Sequence, residues 1–191
     1  MACNNKLTNS ILFNCADMPI KGLAGGKAVL INYDDINRSA STASGATISD
    51  LVTTADGLSL TWYKELASSS STFAPNAEDI DGFTHSFLGR IPTTTAEAAE
   101  RANELKGGLF IVVVETKYKG IDYDDAFKVY GWQNGLRLSE LTQSSNENSG
   151  SMLFTLATAE GTVEQYPYHI FLEMDYGASK ATFDTLFSSG G

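Results

Sequence analysis

Two histidines, His85 and His169, and two cysteines, Cys3 and Cys15, are the chain's whole stock of the side chains that most often act as base, nucleophile or soft metal ligand near neutral pH. Each histidine lies inside a strand-like run, Phe83-Thr84-His85-Ser86-Phe87-Leu88 and Tyr168-His169-Ile170-Phe171-Leu172. No acid or nucleophile stands at a spacing that would make either a catalytic base, so a hydrogen-bonded structural role is expected for both. The cysteines are too far apart for a C-x-x-C redox pair, and the chain holds no G-x-S-x-G nucleophile elbow.

The carboxylates cluster, but without a ligand pattern. An EF-hand loop beginning at Asp122 would need glycine at its sixth position and glutamate at its twelfth, where the chain has Phe127 and Gln133. Asp122, Asp124 and Asp125 therefore read as a solvated acidic turn, with a looser calcium site left open. Glu78, Asp79 and Asp81 have the same standing, and Asp34-Asp35 could pair for acid/base work only with a partner that the surrounding residues do not supply. Residues 22–27 resemble a phosphate-binding loop until the motif is counted out. Lys21 then stands at the first glycine and Ala28 at the magnesium-binding hydroxyl, so a flexible turn is expected. The sequence yields no catalytic, cofactor-binding or metal residues. Trp62, Trp132 and the tyrosines are expected in core packing or subunit contact.

Such side chains would be positioned by a strand-rich framework. Residues 11–13 can start a strand and residues 28–33 form another, with 37–45 as a Ser/Ala-rich loop between it and residues 47–50, which are strand or turn. Residues 58–63 alternate, as a half-buried strand does. Residues 68–81 are polar and contain Pro75, and are expected to be a loop. After the strand at 83–88 a helix is expected over 94–106, opened by a capping box between Thr94 and Glu97. Its buried face is narrow (Ala98, Ala102 and Leu105), and Gly107-Gly108 is expected to end it in the left-handed conformation. Leu109-Phe110-Ile111-Val112-Val113-Val114 is apolar at successive positions, so both faces of that strand should be covered. Asn134-Gly135 between 127–132 and 136–141 predicts a hairpin with a type I′ turn. Residues 143–150 form a further polar loop. Strands at 152–156 and 168–172 follow, joined through a turn at 159–161, and a short helix within 178–187 ends the pattern.

The result is roughly eight strands and one firm helix: a β-rich α+β fold, either a β-sandwich or a curled barrel-like antiparallel sheet with helix 94–106 packed on it. One domain over 1–191 is expected, with long loops at about 37–50, 68–81 and 143–150 available for subunit contacts. The net charge of −10 argues against a protein that grips nucleic acid by neutralising phosphates. No apolar run approaches the length of about 20 residues that a membrane span needs. The residues up to Met18 lack a secretory pattern, and reduced cytoplasmic synthesis is the simplest expectation.

Residues 83–172 resemble the tail tube (major tail) proteins of long-tailed bacteriophages, and virion proteins of phages and prophages from gut bacteria. The matching features are the strand at 83–88, the helix at 94–106, the strand from Leu109 to Tyr118 and the hairpin segment. Within that segment, Val129-Tyr130-Gly131-Trp132-Gln133-Asn134-Gly135-Leu136 precedes an Asn/Ser/Gly loop and Met152-Leu153-Phe154-Thr155-Leu156-Ala157. The resemblance implies a non-enzymatic virion protein, made in the host cytoplasm, whose copies form hexameric rings that stack into a tube with other tail proteins. It implies a β-barrel lumen, acidic on its inner surface, through which DNA passes without specific binding. A monomeric β-sandwich binding module, such as another virion component or an adhesin, is the competing expectation, and an enzyme built on the Asp34-Asp35 or Asp122–Asp125 acids is a third.

Overall fold

A strand that is apolar at every position can be satisfied only by cover on both faces, and the whole architecture follows from that demand. The computed structural model describes residues 7–62, 64, 66–75 and 80–188. Its strands are β1 (Leu23–Asn32), β2 (Thr42–Ser44), β3 (Thr47–Asp50), β4 (Leu58–Thr61), β5 (Ser68–Ala74), β6 (Gly82–Ile91), β7 (Phe110–Thr116), β8 (Phe127–Tyr130), β9 (Leu136–Gln143), β10 (Met152–Thr158) and β11 (His169–Phe171). Two α-helices, α1 (Ala96–Gly107) and α2 (Tyr176–Asp184), complete a β-rich α+β fold. Every residue of β7 is buried.

All strands belong to one sheet, ordered β2-β3-β11-β8-β7-β9-β10-β6-β5, with β1 paired on β7 and β4 on β1. The sheet folds over where β7 meets β9, a junction of one residue pair, Phe110↔Leu136. Beyond it β9, β10, β6 and β5 form a four-stranded antiparallel slab that lies back over β7. Val112 and Val114 of β7 pack beneath the slab with Phe87, Phe154 and Leu156. Ile111 and Val113 point the other way, into a second core with Phe127, Phe171, Phe183 and Phe187. The curl returns far enough for Ser69 of β5 to donate to the Tyr130 hydroxyl of β8 at 3.1 Å.

Several local expectations are corrected. Residues 11–13 are not a strand but part of an exposed arm. Residues 21–26, read as flexible, lie largely within β1, which is offset against β7 between Leu23 and Ala28. The loop expected at 37–50 contains the hairpin β2–β3. Most of the loop expected at 68–81 is β5, paired with β6 along its full length; residues 76–79, with Glu78 and Asp79, lie outside the described residues, as does Cys3. Residues 144–150 remain a loop that ends in a short 3-10 turn, Asn148–Gly150.

Helix α1 is capped one residue later than expected. The Thr95 side chain accepts from the Ala98 amide at 3.2 Å, so Glu97 falls out of reach of the reciprocal bond and stays exposed. Gly108 caps the other end in extended geometry (φ −80°) rather than left-handed. Glycine is required there by packing: a Cβ would lie 2.0 Å from the Phe110 ring. The α2 helix stops at Asp184, and Leu186 and Phe187 continue with positive φ so that Phe187 reaches the core.

The predicted hairpin does not form. β8 pairs with β7 and β11, β9 pairs with β10, and residues 131–135 carry the chain across the end of β7. Gly135 has the positive φ (72°) that the turn needs, but Asn134 does not, and the Gly135 amide donates to the Gly131 carbonyl at 2.9 Å. The amides that a hairpin would commit across its strands are held by side chains instead.

Candidate assembly interface

Those side chains are His85 and Glu164. His85 is buried on β6; its Nδ1 accepts the Gly131 amide at 3.0 Å, and its Nε2 lies 2.9 Å from the Tyr166 carbonyl. Nδ1 as acceptor and Nε2–H as donor is the neutral tautomer that satisfies both bonds. Burial lowers its pKa against the opposing pull of the Tyr166 carbonyl and Glu164. Glu164 has no exposed surface and accepts the amides of Gln133 (2.9 Å) and Asn134 (2.8 Å), while its backbone bridges to Phe83. Arg38 covers this turn, stacked on Trp132 with its guanidinium 4.1 Å from the ring centroid and donating to the Trp132 carbonyl.

His169 sits beside this group, edge-on to Tyr166 and next to Trp132, with a buried Nδ1 that has no hydrogen-bond partner. Burial first, then the charges of His85 and Arg38, hold its pKa at about 4. Both histidines are therefore neutral at pH 7. His85 holds the turn at 131–135 through its two bonds, and His169 packs against it through ring contacts with Trp132 and Tyr166.

Of the acids expected in a solvated turn, two are exposed and the third, Asp125, is half-buried. Asp122 and Asp124 are exposed, and burial raises the Asp125 carboxyl despite the opposing Lys128. Asp35, in the 3-10 turn Tyr33–Asp35, accepts from the side-chain Nδ2 of Asn32, and Asp34 is exposed. Among the described residues, no three His, Cys, Asp or Glu side chains converge as a metal site would require. Cys15 is exposed and free. Two buried carboxylates escape the sequence reading. Glu164 has no local signal. Glu115 does: it continues the apolar run of β7, where burial requires a partner, and it receives Lys119 and Tyr176.

What the structure brings together is a surface. The slab's inner face is core, and its outer face carries hydroxyls from every strand, among them Ser70, Thr72, Thr84, Ser86, Thr142 and Thr155. Arg90, Arg137 and Glu140 supply charge on that face. The slab ends at β5 on one side and on the other at β9, which is bulged at Ser139 and packs against α1. β5 pairs with β6 alone, and β9 touches β7 only at Leu136, leaving the rest of that edge without a strand among the described residues. An open edge is a template for pairing, and monomers usually guard it with lysine, proline or a bulge. β5, Ser-Ser-Ser-Ser-Thr-Phe-Ala, has none of these guards.

A second unsatisfied feature is the arm at residues 7–20. Leu7, Ile11, Leu12 and Phe13 are each at least 77% exposed. The arm is fixed at its base, where Asn14 caps a turn onto Ala16 and Asp17, and the Tyr118 hydroxyl donates to Asp17 at 2.9 Å. No helix among the described residues is long and apolar enough to cross a membrane. No family model, no curated protein and no solved structure matches the chain.

Proposed function

We propose that this chain is a self-assembling structural subunit, in its specific form the tail tube protein of a long-tailed phage virion, with six-membered rings stacked around a DNA-conducting lumen. The observation that carries the reading is the slab whose margins lack a full-length partner strand among the described residues, one of them the unguarded, uncharged β5. Because the slab has an even number of strands that alternate in direction, its outer strands run oppositely. Placing β9 of one copy beside β5 of the next then continues the antiparallel order around a ring. Closure of this kind removes the open edges altogether. The ring, the number six and the tail come from the resemblance of residues 83–172; the edges are this chain's own contribution.

The outer face of the slab suits passage of DNA without capture. Its hydroxyls predominate, and Arg90 and Arg137 against the single Glu140 make no dense cationic row for phosphate neutralisation, although they leave this face without the acidic character that the resemblance implies. Purified protein tests the reading directly. Negative-stain microscopy and light scattering are expected to reveal rings or tubes whose mass grows with concentration. A monomer that persists across the accessible concentrations overturns it.

A further inference from the structure

The mouth of the sandwich at β4 is an apolar cleft of about 540 Å³. Leu30, Leu58 and Leu60 form one wall, Ile91 and Leu105 the other, and Phe110 and Phe154 line it too. Leu58 is 55% exposed there. Beside the cleft, β4 pairs with β1 alone, so its outer edge carries no strand among the described residues. Leu58 and Leu60 stand opposite Leu30 and Ala28 and share the face that looks into the cleft. A further strand on this edge would place alternate side chains over the same opening.

The chain also contains a segment of matching chemistry. Ser10-Ile11-Leu12-Phe13-Asn14 puts Ile11 and Phe13 on one side of an extended strand, and both are solvent-exposed in the single chain. In the single chain the arm's base is held by the Tyr118 bond to Asp17, and Ile11 and Phe13 stand in solvent, outside the chain's own cleft. We infer that residues 10–14 of one copy add as a strand to the free edge of β4 in a second copy, seating Ile11 and Phe13 in its apolar cleft. This rests on the self-assembly reading and assigns it a second contact, distinct from the slab margins.

The probe is a fluorescent peptide of residues 7–18, and the receptor is the full chain carrying Ile11→Asp and Phe13→Asp, whose own arm is disabled. Saturable binding is expected, and it should weaken about tenfold or more when Leu58→Asp is added to the receptor. Leu58 is exposed enough for that variant to fold, which circular dichroism checks. Binding no better than that of a scrambled peptide, or indifferent to Leu58→Asp, overturns the inference. In the otherwise native chain, Ile11→Asp with Phe13→Asp should reduce assembly by sedimentation velocity. Unchanged assembly removes the arm contact and leaves self-assembly standing, whereas a native chain that never assembles removes both.

Discussion

Glu164 is a carboxylate with no exposed surface whose two bonds run to backbone amides of one turn, so its charge is balanced by dipoles that only the folded chain aligns. Glu164→Gln keeps the shape but sets an NH₂ group against one of those amides. A loss of about 2–3 kcal/mol is expected in urea unfolding, because a buried donor is left without an acceptor. The histidines beside it make stability depend on acid. His169 has its pKa depressed to about 4, so between that value and the unfolded value of about 6.5 the unfolded chain binds more protons. Stability is therefore intact above that window and falls as pH drops through it, by up to about 3 kcal/mol. His85, also depressed, acts in the same direction, with Arg38 and Glu164 as the charges facing the pair. Denaturant midpoints between pH 7 and 4 check this, and His169→Phe should flatten the acid limb. Burial of both histidines is legible from their strand-like runs, but the expected hydrogen bonding is seen for His85, whereas the His169 Nδ1 is buried without a partner. Glu164 is not legible, because its two partners lie some thirty residues away and nothing local marks it.

At the scale of single elements, neighbouring hydrogen bonds decide what propensity leaves open. The capping-box spacing points to Thr94, but the chain uses Thr95. Thr95→Ala should cost about 1 kcal/mol while Thr94→Ala changes stability little, a difference thermal unfolding can resolve. The Asn134-Gly135 signal fails for a related reason. The intrinsic turn preference is real, but Glu164 and His85 take the amides of residues 131, 133 and 134, and the apolar β7 takes β8 as its partner. β7 itself is fully legible, because an unbroken apolar run has one solution. β5 is the opposite case. Four serines and a threonine read as loop, and only the full-length register with β6, from Ser68↔Leu88 to Ala74↔Gly82, makes them a strand. Hidden strands of this kind are where sequence pattern is weakest, since hydroxyl side chains carry little burial signal on a solvated edge.

For the whole molecule, the sequence shows the sheet-dominated class but not the fold-over that turns one sheet into a core plus an open slab, because that geometry rests on the single junction of Phe110 with Leu136. The same junction leaves β9 free on one side and so creates the margin that self-association would use. If β5 of one copy meets β9 of the next, charges placed on these strands must sense each other across the boundary, because facing side chains on adjacent strands interact and like charges repel. Ser70 and Thr142 stand on the outer face of the two margins, are exposed, and are too far apart within one chain to interact, with β6 and β10 between them. Ser70→Lys with Thr142→Lys should therefore suppress rings and tubes in electron micrographs while leaving monomer stability within about 0.5 kcal/mol of the parent. Ser70→Lys with Thr142→Glu should restore assembly, and raising the salt concentration should narrow the gap between the two double variants as screening grows. Equal assembly by both double variants would mean that these margins do not meet, and the ring would have to close through another surface.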